Sequence, residues 1–81
     1  MTELEIFAKV TLEHGGEWWW LEESENYSLY SCKTKYEVKH VFYYHPPVYQ
    51  IFDKHGKRVF ASTDYMTAYN KYAALCKGDP R

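Results

Sequence analysis

Three consecutive tryptophans, Trp18, Trp19 and Trp20, constrain the fold of this chain more than any other feature. They lie between Gly15-Gly16 and an acidic run, which is typical of a short strand with a turn at each end. Successive side chains of a strand point to opposite faces, so Trp19 points away from its two neighbours. Only the segment 64–77 shows a clear helical pattern, and one helix covers one face of a sheet. The other tryptophan-bearing face therefore needs a second cover: a loop, a second copy of the chain or a partner.

The segment before the tryptophans is predicted to be the first strand, because apolar and mostly polar residues alternate along it with a period of two. The apolar positions are Leu4, Ile6, Ala8, Val10 and Leu12. Gly15-Gly16 then predicts a tight hairpin turn, since glycine accepts the positive φ that such turns require. A two-residue loop places Trp19 on the apolar face of this strand, and Trp18 and Trp20 with Phe7 on the other. A three-residue loop would exchange the two faces, and turn frequencies favour the shorter loop.

Further strands are predicted at 27–32, 36–44, 48–52 and 57–61 from their β-branched and aromatic residues. His45-Pro46-Pro47 ends the second of these, because proline cannot donate to the ladder. Helix 64–77 begins at a Ser-Thr-Asp cap, and it is predicted to end with Gly78 in a left-handed conformation and Pro80 beyond it. We expect one domain over 1–81: an α+β fold with an antiparallel sheet of five or six strands and one C-terminal helix packed on one face.

Composition predicts a folded protein outside the membrane and the secretory route. The 81 residues are 46% hydrophobic and 26% charged, which is typical of a globular domain. The N-terminus lacks a signal peptide and no apolar run reaches about 18 residues, so a cytoplasmic protein is expected, with Cys32 and Cys76 as free thiols. The net charge of −1 divides into −6 over 1–31 and +5 over 32–81. Either two patches of opposite sign or an interleaved surface agrees with this division.

No motif for catalysis, a cofactor or a metal is present in the sequence. The four histidines and two cysteines match no compact ligand spacing, so we expect no metal site, no cofactor and no enzyme activity. Lysines near aromatic residues in the 33–58 region predict an alternative function, single-stranded nucleic-acid binding, through Tyr43, Tyr44, Lys57 and Arg58. The near-neutral charge of the chain makes nucleic acid the less favoured partner.

The tryptophan face away from helix 64–77 has the composition of a protein interface, since tryptophan dominates binding hot spots and charged rims select partners. The predicted partner-binding residues are Phe7, Glu17, Trp18, Trp20, Glu22, Glu23 and Glu25. A protein with a basic surface fits these acids. Two other covers stay open: a homodimer through the same face, and the Pro46-Pro47 segment folded over the tryptophans.

In its small size, its acidic patch and its lack of a catalytic motif, the chain resembles the small phage-encoded inhibitors of host defence, of the anti-CRISPR type. The resemblance concerns overall character and covers no aligned segment. It implies a viral protein of the host cytoplasm that binds a protein and blocks its nucleic-acid-binding surface. It assigns no role to any particular residue.

Overall fold

The computed structural model describes residues 1–78 and contains two helices and six strands. In chain order these are α1 (Glu3–Glu13), β1 (Glu17–Glu23), β2 (Tyr27–Lys33), β3 (Lys35–Val38), β4 (Val41–Tyr44), β5 (Val48–Asp53), β6 (Arg58–Ser62) and α2 (Tyr65–Lys77). Four strands form an antiparallel sheet in the order β1-β2-β5-β6, and β3 and β4 form a separate hairpin. The predicted α+β class, with six antiparallel strands and a C-terminal helix on one face, is confirmed. The prediction for Pro80 lies outside the described residues.

The first segment is a helix, so the prediction of a strand over Leu4–Leu12 is wrong. Thr2 caps α1: its hydroxyl accepts the Glu5 N–H at 3.2 Å, and the Glu5 carboxylate accepts the Thr2 N–H in return. This reciprocal capping box satisfies amides that the first helical turn would otherwise leave unpaired. The half-buried positions Leu4, Phe7, Ala8 and Thr11 are three and four residues apart, whereas Ile6, Val10 and Leu12 are 43–56% exposed. The apolar residues of this segment thus recur both with a strand-like period of two and with a helical period. The residues that follow the helical period face the sheet.

The predicted hairpin at Gly15-Gly16 is absent as a consequence, and the two glycines join α1 to β1 instead. Gly15 has a φ of +79°, which glycine adopts without a steric cost. A side chain at Gly16 would collide with the Lys33 and Thr11 carbonyl oxygens. Glycine is needed at position 16 because the backbones of α1 and β2 both lie close to it. The position is not part of a β-hairpin.

Each face of the four-stranded sheet carries one helix. α2 packs on β2, β5 and β6 and encloses Leu29 and Ile51, which are fully buried. Burial of each such side chain contributes roughly 1.5–3 kcal/mol. On the opposite face, Phe7 of α1 packs on the fully buried Phe52, with ring centroids 6.1 Å apart. The N-terminal helix is therefore the second cover of the sheet, although it leaves Trp20 exposed.

The predicted fourth strand, 36–44, is two strands joined by a two-residue turn, so that prediction is also wrong. Lys39 and His40 have φ of 50° and 65°, the positive values of a type I′ hairpin turn. Such turns are usually Asn-Gly, and this one has neither residue, so the sequence does not signal it. The turn sends β3 and β4 away from the main sheet as a separate ribbon.

The remaining elements agree with the sequence, apart from one helix end. The break at 45–47 and the hairpin of β5 and β6 are confirmed. Asp64 caps α2 by accepting the Thr67 N–H at 2.8 Å, and the Thr67 hydroxyl and N–H lower the pKa of its carboxyl. Gly78 has a φ of −84°, so the predicted left-handed helix end is wrong. Within residues 1–78, neither helix is long and apolar enough to cross a membrane.

Candidate partner-binding surface

The three tryptophans of β1 lie in three different environments. Trp18 is half-buried, and its ring centroid lies 5.4 Å from that of Tyr30 and 6.0 Å from that of Phe52. Trp19 and Trp20 are 60% and 62% exposed. Solvent therefore reaches most of two neighbouring indole rings on one strand.

The prediction that Trp19 belongs to the core beneath helix 64–77 is wrong. Trp19 pairs with Ser31, and Ser31 pairs with Tyr49, which contacts Tyr65 of α2, so Trp19 does share the face of that helix. β1 is the outermost strand, however, and α2 packs on β2, β5 and β6. The helix is centred too far across the sheet to cover the first strand.

Trp20 is exposed because α1 crosses the sheet diagonally. The first turn of α1 contacts the β5–β6 turn, where the Leu4 N–H donates to the Gly56 carbonyl at 2.9 Å. Its last turn lies near the start of β1, where the Gly16 N–H donates to the Thr11 carbonyl at 2.9 Å. The helix thus passes over the beginning of β1 and leaves its second half uncovered.

Carboxylates surround the two exposed tryptophans. Glu17 accepts the Trp19 indole N–H at 2.9 Å, which holds this ring against the strand. Glu22, Glu23 and Glu25 are exposed at the end of β1 and in the turn that follows. Within residues 1–78 the ion pairs are Lys9–Glu13 and Glu37–His40, so none of these glutamates forms an ion pair; Glu17 is the cross-strand partner of Lys33. We call this region the Trp-Glu surface; its residues are Glu17, Trp19, Trp20, Leu21, Glu22, Glu23 and Glu25.

An open groove of about 530 Å³ continues the Trp-Glu surface on the α1 side. It lies between the start of α1 and the β1–β2 and β5–β6 turns, and Trp20 pairs with Tyr30, one of its lining residues. Its carboxylates are Glu5, Glu23, Glu25 and Asp53, with Lys54 and His55 opposite. The Lys57 and His55 N–H groups donate to Asp53 and lower its pKa, so this carboxylate stays ionised. The groove is net negative and suits a cationic side chain.

Two of the predicted partner-binding residues, Phe7 and Trp18, pack against aromatic rings on the α1 side of the sheet instead of projecting into solvent. Phe7 packs on Phe52, and its ring lies 5.0 Å from the Arg58 guanidinium. Their role in partner binding stays a prediction, and their packing is already a structural role. The sequence reasoning missed Trp19 and Leu21, because the predicted hairpin placed them on the face that helix 64–77 was expected to cover. The capping box at Thr2 was the signal that could have corrected this.

The residues predicted for nucleic-acid binding do not form one surface. Tyr43 and Tyr44 are adjacent on β4, so their side chains point to opposite faces of the hairpin. Lys57 and Arg58 lie at the turn between β5 and β6, whereas β4 joins β5 at its other end. The length of β5, six residues or roughly 20 Å, separates the two pairs.

The Cys32 thiol is buried and hydrogen-bonded on both sides. Burial raises the pKa of the Cys32 thiol, which donates to the Val48 carbonyl at 3.2 Å and accepts from the Gln50 amide at 2.7 Å. A buried thiol with a raised pKa is a poor nucleophile. No group of three histidine, cysteine or acidic side chains within 1–78 could hold a metal ion.

Comparison of this chain with protein families, with curated protein sequences and with solved structures finds no match. Any functional conclusion therefore rests on the geometry and chemistry of the residues described above.

Proposed function

We propose that this protein is a non-enzymatic protein-binding module and that its contact surface is the Trp-Glu surface. The observation that carries the proposal is the 60% and 62% exposure of Trp19 and Trp20 on the outermost strand. Tryptophan is strongly enriched among interface residues that dominate affinity, and contiguous apolar patches on a protein surface commonly mark interaction sites. A partner would bury two large rings that the fold itself leaves in water.

The partner would have a basic surface. Glu22, Glu23 and Glu25 are exposed and form no ion pair within residues 1–78, and the adjoining groove is net negative although Lys54 also lines it. Such a surface attracts lysine and arginine side chains, speeds association and repels acidic proteins. Proteins commonly bind nucleic acid through basic surfaces of this kind. We therefore propose that the chain inhibits its partner by occupying a nucleic-acid-binding surface.

The geometry of β1 indicates how a partner would bind. Trp19 and Trp20 point to opposite faces of the sheet, and the strand that carries them, β1, is its edge. A partner cleft that receives this edge would contact both rings, one on each side. A flat partner surface would contact only one of them.

The test is to capture proteins from cells that encode this chain, using the wild-type protein and a Trp19→Ala/Trp20→Ala variant as baits. Proteins retained by the first and lost by the second are the partners of interest, and their affinities are then measured with purified material. We expect at least a 30-fold loss of affinity, because hot-spot residues contribute roughly 2 kcal/mol or more each. Circular dichroism would establish that the variant keeps its fold.

The matched control is Tyr65→Ala/Tyr69→Ala, which removes two exposed aromatic rings from α2 at 43% and 38% exposure. This variant should keep full affinity, because neither tyrosine belongs to the Trp-Glu surface. Equal loss in both variants, or no loss in the tryptophan variant, would show that another surface binds the partner.

The acidic rim has a separate test. Replacing Glu22, Glu23 and Glu25 by glutamine keeps side-chain size and removes three charges. Association should slow and lose most of its salt dependence, while dissociation changes less. A salt dependence that the three substitutions leave intact would disprove the basic-partner proposal.

A homodimer through the same tryptophans would also cover them, and solution mass distinguishes it. Two copies joined through the Trp-Glu surface would bring like charges together, which opposes association. We therefore expect a mass near 9.7 kDa in light scattering at low salt. A mass twice as large that Trp19→Ala/Trp20→Ala halves would replace the proposal with self-association.

A further inference from the structure

The β3–β4 hairpin projects from the body of the protein and carries a second set of exposed aromatic residues. We call residues 35–44 the arm. The arm begins after Thr34, whose carbonyl accepts the His45 N–H at 2.9 Å and closes its base. Its aromatic and aliphatic side chains are between 41% and 57% exposed; they are Tyr36, Val38, Val41, Phe42, Tyr43 and Tyr44. An isolated two-stranded hairpin is marginally stable in water, and contiguous exposed apolar surface commonly marks an interaction site.

The two faces of the arm differ in charge. One face carries the directly paired Tyr36 and Tyr43 and the paired Val38 and Val41, and it is uncharged. The other face carries Lys35 paired with Tyr44, and Glu37 paired with Phe42; Lys33 at the end of β2 lies beside it.

Two lysines lie over two aromatic rings on this second face. The Lys35 ammonium is 4.2 Å from the centroid of the Phe42 ring, and the Lys33 ammonium is 5.8 Å from that of Tyr44. Phe42 and Tyr44 are two residues apart on one strand, so their rings stand side by side along it. The result is a row of alternating planar rings and cations.

The charge of the arm and its base is positive although the whole chain is slightly acidic. Residues 33–45 contain Lys33, Lys35 and Lys39 against Glu37 alone, a net charge of +2 with neutral histidines. The cations of the β5–β6 turn, in contrast, lie close to the acids of the groove. The arm and its base are therefore net positive, whereas at the opposite end of the sheet the cations are mixed with acids.

We propose that the lysine-bearing face of the arm binds single-stranded nucleic acid. Bases would stack on Phe42 and Tyr44, and the ammonium groups of Lys33 and Lys35 would move from the rings to the phosphates. Exposed aromatic platforms flanked by cations are the usual composition of such sites. This site shares no residue with the Trp-Glu surface, although the two adjoin where Lys33 pairs with Glu17 across β1 and β2. It does not depend on the function proposed for that surface.

Single strands fit the arm better than its other occupants. Stacking on an exposed ring requires an unstacked base, which a duplex does not offer. An acidic protein segment would pair with the lysines, but aspartate and glutamate side chains offer no aromatic ring to stack on Phe42 and Tyr44. A second copy of the chain offers acids on its Trp-Glu surface, and the experiments below distinguish that case.

The first measurement is the fluorescence anisotropy of 5′-labelled 12-nucleotide oligo(dT) and oligo(rU) titrated with the protein at 50 and 200 mM NaCl. The logarithm of the affinity for a single strand falls with that of salt concentration by about 0.7 for each phosphate neutralised. Two or three lysines therefore predict a loss of roughly 7- to 18-fold between the two salt concentrations. Lack of binding at 50 mM NaCl, or tighter binding of a 12-base-pair duplex, would overturn the proposal.

Four variants then locate the site. Phe42→Ala and Tyr44→Ala should each weaken binding roughly 5- to 150-fold, because each removes one stacking platform. Lys33→Gln/Lys35→Gln should reduce the salt slope by about 1.4. The control Lys54→Gln/Lys57→Gln makes the same charge change at the other end of the sheet and should keep the wild-type slope. Equal effects of the two lysine pairs would overturn the proposal.

Two further measurements test whether the variants keep the hairpin structure and whether the protein associates with itself. Amide chemical shifts of 35–44 show whether each variant keeps the hairpin, and a Phe42→Leu variant keeps an apolar side chain without the ring. Phe42→Leu should bind as weakly as Phe42→Ala if stacking is the cause; wild-type affinity would disprove stacking. Sedimentation without oligonucleotide should show a monomer. A dimer that Lys33→Gln/Lys35→Gln dissociates would assign the arm to a second copy instead.

Discussion

A single methyl group at Gly56 is predicted to weaken the attachment of α1 to the sheet. Gly56 is buried in the β5–β6 turn with a φ of +77°, and its carbonyl accepts the Leu4 N–H at 2.9 Å. A Cβ atom at this position would lie 2.5 Å from Cβ and 2.6 Å from Oγ1 of Thr2, the residue that caps α1. Gly56→Ala therefore strains the turn and displaces the helix cap together.

The expected cost has two parts. The left-handed conformation costs alanine about 1 kcal/mol relative to glycine. Displacing Thr2 loses an N-cap, which contributes about 1 kcal/mol with a range of about 0.5–2. The sum of about 1.5–3 kcal/mol is a large fraction of the roughly 5–15 kcal/mol that stabilises a typical domain. For a chain of this size, it should lower the melting temperature by roughly 6–24 °C.

Urea denaturation followed by far-ultraviolet circular dichroism gives the free energies, and two variants separate the two parts. Gly15 has a similar φ of +79°, but a Cβ atom there would contact only the flexible end of Lys35. Gly15→Ala should therefore cost only the conformational term of about 1 kcal/mol. Thr2→Gly removes the colliding atoms and itself costs a few tenths of a kcal/mol. In that background Gly56→Ala should cost about 1 kcal/mol. The proposed contact between turn and cap would be refuted if Gly56→Ala and Thr2→Gly changed the free energy of unfolding additively. It would also be refuted if Gly56→Ala and Gly15→Ala lowered that free energy equally.

Three further predictions concern acid, thiols and the arm. Hydrogen bonds lower the folded-state pKa of Asp53 and Asp64, so their stabilisation is present above the unfolded pKa of about 3.9 and is lost as pH falls through the folded value. Asp53→Asn/Asp64→Asn should therefore reduce the difference between urea midpoints at pH 6 and pH 3; an unchanged difference would contradict this. Cys32 should react with a thiol reagent only on unfolding, because burial raises its pKa, whereas Cys76 should react earlier; mass spectrometry of timed samples identifies the order. Replacing Lys39-His40 by Asn-Gly should increase hydrogen-exchange protection in the arm, because both residues have positive φ, and leave the melting temperature nearly unchanged, because the arm packs little on the rest of the fold. A large change in melting temperature would show that the arm is part of the core.

The fold class and the second half of the chain were predictable, because their signals are local and consistent. Asp64 and the apolar positions of 65–77 specify α2 through capping and helical spacing. The Asp53–Gly56 turn between two β-branched runs specifies the β5–β6 hairpin. In these segments, turn chemistry and hydrophobic period indicate the same structure, and tertiary contacts do not override them.

The first thirteen residues were predicted incorrectly because two periods overlap there. Leu4, Ile6 and Ala8 alternate as in a strand, while Leu4, Phe7, Ala8 and Thr11 form a helical stripe. The choice depends on Thr2 and Glu5, which cap a helix and have no such use in a strand. The error then moved Trp19 into a core, since the predicted hairpin placed it on the apolar face of the first strand, beneath helix 64–77.

The exposure of Trp19 and Trp20 could not be derived from the sequence even with the correct helix. It depends on where α1 and α2 cross the sheet, and those positions come from contacts distant in the chain. Leu4 bonds to Gly56, and the Glu3 carboxylate accepts the Arg58 N–H at 3.1 Å, across a separation of 55 residues. The hairpin of the arm was not predicted for a different reason. Its turn residues, Lys39 and His40, have the positive φ values that asparagine and glycine usually adopt in such turns.

The bulge in β1 has a consequence for how this protein behaves at high concentration. An outermost strand with exposed tryptophans is a template on which identical chains can assemble into fibres. The pairing of β1 with β2 shifts between Trp20 and Glu22, so the strand is bent there, and two glutamates follow at once. Bends and charges at a sheet edge oppose the flat, repeated pairing that aggregation requires. The same short interruption therefore opposes assembly of identical chains along the strand that carries the two exposed indole rings.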